Sequence, residues 1–561
     1  MIAKDEANVV FQKRLDVLIR SAQPMIAVLT DEEERAVLSV MDVISRQWQE
    51  KKRRGGGNGG GRRHVYLWSS TKGVHIHPLD DFTPKPEKNA AFPTAQTDEW
   101  SEPTDSGVVL PTLDGLLDFL CSYEPTSYHP VVWVLLDAHE QVARQARKLR
   151  DLAARLASEL PDTVIFLSPD TGDGGFPIPA GMTDDVSLMR FPLPTFEELK
   201  LVVEGFIAGL PEGSEVNLDE AGRVELADAL RGLTVRCAMG VLAGAFITHR
   251  RLDSGAFTSI LDAKRQIIGQ TPGLTYYPPV PVEVGGLDVL KRFVREVHAA
   301  MTPEAHEYGL EPPRGVFLVG PPGTGKSLTA KLIAGGNIPL VRNSIGEMMA
   351  SHLGQSEAHL RRALRVVEAI GRCVCWFDEM HLVFGGSGES DGQTSQRMQG
   401  ELQTWLEERM ESGRGADAFV VMTGNEPLDN PAMEQRLDEV FWVGLPGPVA
   451  RREILNIHLR KAGREPDDYM LERVLKATAG FSGRELAILV QRSLRVAFLD
   501  DGRELRADDL AAAAEATKPT SVRRSGEYHA LLTWARGSAV NASLPDDEPK
   551  ARMAKKRKLD G

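Results

Sequence analysis

Cysteine is scarce, and neither long apolar runs nor an excess of positive charge is present. Four cysteines in 561 residues (Cys121, Cys237, Cys373, Cys375) exclude a disulfide framework and fit a reducing compartment. Cys373 and Cys375 alternate within an apolar run and read as small core fillers. No run of 18 or more apolar residues occurs, which excludes a spanning helix. The first residues lack the basic-then-apolar order of a signal peptide, so a cytoplasmic protein is expected. Lys+Arg 66 against Asp+Glu 79 leaves a net charge of -13, which argues against coating nucleic acid through bulk charge.

What is present is ordinary globular material, 42% hydrophobic and 26% charged, long enough for three or four compact units. Three segments break the pattern. Residues 51–63 (KKRRGGGNGGGRR) read as a glycine linker, and residues 80–107 as a polar surface insertion. Residues 544–561 read as a disordered tail ending in Lys555-Lys556-Arg557-Lys558, the one stretch with the charge to meet nucleic acid.

Between these, strand-length apolar runs alternate with helical patterns. The first series is 25–29, 65–68, 131–136, 164–167 and 187–191; the second is 316–319, 373–377, 419–422 and 440–443. Such alternation implies an α/β fold with a mostly parallel sheet. Residues 216–268 and 450–516 lack strand runs and read as helical bundles.

One motif carries chemistry. Gly320-Pro321-Pro322-Gly323-Thr324-Gly325-Lys326-Ser327 matches the P-loop pattern between an apolar strand and a helix that begins at Leu328. Glycines let the backbone wrap phosphate while helix N-terminal amides face the anion. Lys326 is expected to reach the β- and γ-phosphates, and the Ser327 hydroxyl to ligate Mg²⁺. Downstream, Asp378 ends an apolar strand, placed to hold Mg²⁺ through water, and Glu379 is placed to polarise the attacking water. Asn425, after the next strand, brings an amide beside the γ-phosphate. Together these describe nucleotide hydrolysis.

With these motifs in place, residues 282–540 resemble the AAA (AAA+) ATPases. Val284-Gly285-Gly286-Leu287 is similar to the family's adenine-side signature, and residues 347–362 to its first pore loop and following helix. Asn425 holds the sensor-1 position and Arg436 the place of an arginine finger acting on a neighbour's nucleotide. Phe481-Ser482-Gly483-Arg484 resembles the start of the lid helix bearing sensor 2, with Gly483 and Arg484 beside phosphate. The resemblance implies ATP, Mg²⁺ and a homo-oligomeric ring, usually a hexamer. Three departures stand out: His352 where unfoldases carry a pore-loop aromatic, Met433 where a second arginine is common, and Arg484 where relatives have a small residue.

The first half reads as an inactive copy of the second. Asp31-Glu32-Glu33-Glu34-Arg35 replaces the glycine cradle, Asp137-Ala138-His139 parallels Asp378-Glu379-Met380, and Ala138 thus stands for the catalytic Glu. Ser168-Pro169-Asp170 parallels Thr423-Gly424-Asn425, and residues 231–236 parallel 479–484. This two-part layout is similar to an AAA subgroup encoded in algal chloroplast genomes and in cyanobacteria.

The expected architecture is therefore a P-loop AAA+ module with a helical lid, preceded by a degenerate AAA-like α/β domain with its own lid. Its divisions are residues 1–212, 213–275, 276–448, 449–543 and the tail 544–561. The expected activity is Mg²⁺-dependent ATP hydrolysis in a ring that remodels or regulates a protein partner docked on the first domain. A nucleic-acid motor and a slow ATP switch for complex assembly are the alternatives.

Overall fold

The computed structural model describes residues 6–53, 63–77, 110, 112–122, 130–170, 176–335, 338–349, 355–384, 392–412, 417–427, 430–465 and 468–544. The chain divides into two compact units, Met1–Ile260 and Leu261–Gly561. The expected insertion 80–107, the pore-loop position His352 and all of the tail but Leu544 lie outside the described residues.

In the first unit the strands are β1 (Met25–Leu29), β2 (His64–Ser69), β3 (Gly73–His75), β4 (Val131–Leu136), β5 (Thr163–Ser168) and β6 (Val186–Arg190). They form one sheet in the order β3-β2-β4-β5-β1-β6, parallel except for β3. Successive strand residues face opposite sides. Met25, Ala27, Trp133 and Leu135 therefore pack against helices Leu113–Ser122 and Ala146–Ser158, while Ile26, Val28, Val132 and Val134 pack against Glu6–Arg20 and Glu33–Arg53. Burial on both faces explains why these strands read as continuous apolar runs.

The helices Phe196–Ala208, Glu220–Ala229 and Val235–His249 follow. They are accompanied by two short parallel strands, β7 (Glu215–Val216) and β8 (Arg251–Leu252). The expectation of a purely helical 216–268 is corrected there. Two-residue strands leave no periodicity to read. Lys51–Arg53 likewise continue the helix Glu33–Arg53 rather than opening a linker.

The second unit contains β9 (Leu274–Tyr277), β10 (Gly315–Val319), β11 (Leu340–Ser344), β12 (Cys373–Asp378), β13 (Ala418–Gly424), β14 (Glu439–Trp442) and β15 (Val540–Asn541). Their order is β15-β14-β10-β13-β12-β11-β9, with only β9 antiparallel. Leaving aside the edge strands β3, β9 and β15, both sheets run 5-1-4-3-2 in the sequence order of their five parallel strands. The helices Pro448–Lys461, Asp468–Ala477, Gly483–Leu499 and Ala507–Glu515 close around their own apolar core, including Leu455, Val474, Leu489 and Leu510.

The shared topology corrects the residue correspondence between the halves. Phe191 N donates to Leu29 O as Val443 N donates to Val319 O, which aligns the ends of β1 and β10. Leu29 pairs with Ser168 and Val319 with Gly424, while Leu136 pairs with Leu167 and Phe377 with Met422. Leu136 therefore stands where Asp378 does, and Asp137, not Ala138, stands where Glu379 does. Asp137 and Glu379 share a left-handed backbone, at φ 52° and 60°. The slip of one residue arose because apolar Leu136 extends its run past the point where β12 turns acidic.

Only Thr30, Asp31 and Glu32 connect β1 to the following helix, against six residues, 320–325, after β10. The short connection is occupied by its own anion. The buried Glu32 carboxylate accepts from Val235 N at 2.6 Å, in the first turn of helix Val235–His249, and pairs with Arg35. Arg35 also donates to Pro192 O at 2.8 Å and to Glu198 at 2.9 Å. A carboxylate and its arginine thus tie the loop after β1 to helices Phe196–Ala208 and Val235–His249. Replacing it leaves a buried amide and part of a guanidinium unpaired, so Glu32→Ala is expected to cost the first unit about 2 kcal/mol. Urea denaturation measures this, and a cost below about 0.5 kcal/mol would show that the tie contributes no more than an exposed ion pair.

Candidate nucleotide site

The candidate residues assemble at the carboxyl ends of three adjacent strands, β10, β13 and β12, where open α/β sheets place their ligands. The loop 320–325 leaves β10, and helix Lys326–Ala334 starts immediately after Gly325. Two glycines are dictated by the backbone. A Cβ on Gly320 would lie 2.1 Å from Val443 O, and Gly325 caps the helix at φ 103°, the left-handed region a side chain disfavours. The Thr324 hydroxyl donates to Pro321 O at 2.9 Å and braces the turn. Pro322, Ser327 and Leu328 are exposed, and Pro321, Gly323, Thr324 and Gly325 are half-buried.

Lys326 is buried, yet every donor of its ammonium is used. It reaches Gly320 O at 2.7 Å, Pro321 O at 2.9 Å and Asn425 Oδ1 at 2.8 Å. Burial pulls the ammonium down to about 8, opposed by the nearby Asp378 charge. The contact with Asn425 joins the P-loop lysine to the end of β13.

Asp378 closes β12 with both carboxylate oxygens engaged. Oδ1 accepts from the Thr423 hydroxyl at 2.7 Å, and Oδ2 accepts from Arg342 Nη2 at 2.9 Å and Nε at 3.2 Å. Glu379 follows, exposed to solvent. Arg342 went unread in the sequence because β11 (LVRNS) begins apolar and ends polar; the arginine inside a buried strand was its only signal. An exposed serine hydroxyl and a carboxylate are hard oxygen donors, and this donor set suits Mg²⁺.

The helices after the sheet reach the same loop. Arg484 N donates to Gly323 O at 3.1 Å, and its exposed guanidinium has no hydrogen-bond or ion-pair partner among the described residues. Gly483 starts its helix behind Ser482, whose hydroxyl forms a capping box with Glu485. Gly285 is buried, and a Cβ there would come within 2.9 Å of Ile454, while Gly286 N donates to Glu453 at 2.7 Å. Val284 packs partly buried against the sheet core. These contacts bring 284–286 against helix Pro448–Lys461.

Arg436 stays apart from this cluster. Asp438 N donates to Gly315 O at the start of β10, so a strand about 16 Å long separates Arg436 from its own P-loop. Its guanidinium pairs with Glu407 at 3.0 Å and also donates to Ala432 O. Met433, three residues earlier, is wholly buried, a core position unsuited to an arginine.

Among the described residues of the first unit, the registers above place Leu136 at the position of Asp378 and Pro169 at that of Asn425, and Glu32 stands in the loop after β1.

Comparison with known proteins divides the chain similarly. The model described as "ATPase family associated with various cellular activities (AAA)" matches residues 316–445. Those described as "SpoVK-like AAA ATPase, N-terminal domain" and "SpoVK-like AAA ATPase, second domain" match residues 11–191 and 197–271. The chain is 29% identical over 544 residues to the "Uncharacterized AAA domain-containing protein ycf46" of Guillardia theta, covering 94% of this chain and 96% of the relative. The protein of the same description from Pyropia yezoensis is 28% identical over 543 residues, covering 95% and 99%. The proteasome-activating nucleotidase of Aeropyrum pernix is 30% identical over 312 residues, covering 51% of this chain and 74% of the relative.

Proposed function

The chain belongs to the AAA ATPase family, and from that premise we propose that its second unit is a Mg²⁺-dependent ATP hydrolase working in a ring. The observation that carries the reading is the convergence of Lys326, Asn425 and the P-loop carbonyls beside Asp378 and Glu379. Lys326, already charged and held under the loop, would turn its ammonium onto β- and γ-phosphate oxygens. Gly323, Gly325 and the first amides of helix Lys326–Ala334 would face the phosphates, with Pro321, Pro322 and Thr324 shaping the turn and Leu328 following Ser327 into the helix. Ser327 directly, and Asp378 through water, would hold Mg²⁺, which supplies charge neutralisation on the transferring phosphoryl group. Glu379 would accept the proton of the attacking water, oriented by Asn425. Val284 and Gly285 would border the base, and Gly483 and Arg484 would approach the phosphates from the lid. That its exposed guanidinium has no partner among the described residues supports that role.

Arg436 is too far along β10 to serve its own site, which supports a finger offered to a neighbour, hence a homo-oligomeric ring of hexameric type. Arg436→Ala is expected to keep nucleotide binding and lose roughly 10³-fold in turnover. Mixing Arg436→Ala with Glu379→Gln chains should restore part of that turnover, because each supplies what the other lacks. Mixed rings verified by mass that recover none would refute action in trans.

The first unit would serve as a nucleotide-silent platform for a protein partner to be remodelled or regulated. Four free cysteines and the absence of a helix long and apolar enough to cross a membrane, among the described residues, support a cytoplasmic setting. The net charge of -13 disfavours nucleic acid as the partner.

A further inference from the structure

The ion pair on the metal-side carboxylate has a consequence for how the site loads. Arg342 directs two donors, Nε and Nη2, onto the single oxygen Oδ2 of Asp378, at 3.2 and 2.9 Å. Oδ1 is engaged separately by Thr423 at 2.7 Å, and Thr423 is itself held by the Trp376 indole N–H at 3.2 Å. The Trp376 ring lies 5.2 Å from the Arg342 guanidinium carbon, so one residue braces both partners of the carboxylate. Side-chain exposures of 25% for Arg342 and 17% for Asp378 keep the pair partly out of water, where charge interactions are less screened.

We propose that Arg342 is a positioning residue that acts as the resident countercharge of Asp378 and competes with Mg²⁺ for that carboxylate. This rests on the reading of Asp378 as the metal-side carboxylate of an ATPase site. A dication approaching Asp378 finds Oδ2 already committed to a fixed cation that also repels it. The site therefore loads Mg²⁺ less readily than its oxygen donors alone would. Neutralising Arg342 removes the competitor, whereas Arg342→Lys keeps the charge and loses only the fork geometry.

The test uses the full chain and a fluorescent ADP analogue, titrated first without metal and then with Mg²⁺ at fixed nucleotide. In Arg342→Gln, metal-free binding is expected to be unchanged and the Mg²⁺ midpoint to fall about tenfold, with Arg342→Lys within about threefold of the parent. A midpoint unchanged or raised in Arg342→Gln, or one lowered equally in Arg342→Lys, overturns the proposal. Loss of metal-free binding in Arg342→Gln also overturns it, because Arg342 would then support the cradle and not contest the metal. Failure of the parent chain to bind the nucleotide at all would instead overturn the ATPase reading beneath it.

Discussion

Lys326→Ala is expected to weaken ATP binding by at least about 100-fold, the largest effect on nucleotide affinity among these substitutions. The ammonium sits within hydrogen-bond reach of Gly320 O, Pro321 O and Asn425 Oδ1, and it is the only side-chain cation bonded into the loop among the described residues. Without it, triphosphate meets a loop that has lost the one ammonium hydrogen-bonded to its carbonyls, with the Asp378 charge still nearby. The same substitution should not destabilise the empty protein. Burial lowers the Lys326 ammonium to about 8, so the folded site already disfavours that charge relative to water. The signature is therefore split. Thermal denaturation without ligand should be unchanged or slightly later, while the stabilisation by saturating ATP, about 2.7 kcal/mol at 100 times Kd, disappears. Loss of the unliganded fold would mean that Lys326 is chiefly a structural residue.

Glu379→Gln is expected to leave ATP binding within a few-fold of the parent while slowing turnover by about 10² to 10⁴. Gln keeps the size and hydrogen-bonding reach of the side chain and removes only its capacity to take a proton. The exposed position places few packing demands on the side chain, and Gln meets the same left-handed backbone, φ 60°, as Glu. Single-turnover hydrolysis against equilibrium binding separates the two quantities. If affinity and rate fall together, Glu379 holds nucleotide instead of activating water. The variant also distinguishes a motor from an assembly switch, since a switch retains its function when locked with ATP and a motor stalls.

The main strands were legible in the sequence because a parallel sheet covered on both faces leaves uninterrupted apolar runs: residues 25–29, 131–136, 316–319 and 373–377 all lie within strands. What escaped has local physical causes. β9 is an antiparallel edge strand, β15 pairs only two residues, and β11 turns polar after Leu340 and Val341. Missing β11 meant missing Arg342. The motif Gly320–Ser327 made Lys326 and Ser327 legible because its chemistry is written into consecutive residues, while Asp378 and Asn425 were legible as the polar residues that follow two later apolar runs. Partners contributed through space, such as Thr423 on Asp378 and Glu453 on Gly286, leave no such trace. The misplacement of Asp137 by one residue shows the same limit, since only strand register reveals which residue faces the site.

That register also sharpens the contrast between the two units. Each has the same order of five parallel strands, yet one connects β1 to its helix through Glu32 and the other connects β10 through a six-residue glycine loop. The central claim, that nucleotide chemistry resides in the second unit alone, is tested most directly by counting ATP bound per chain in Glu379→Gln with Mg²⁺ present. The expected result is one per chain, falling to none when Lys326→Ala is added. Two per chain, or one that survives the loss of Lys326, would contradict it.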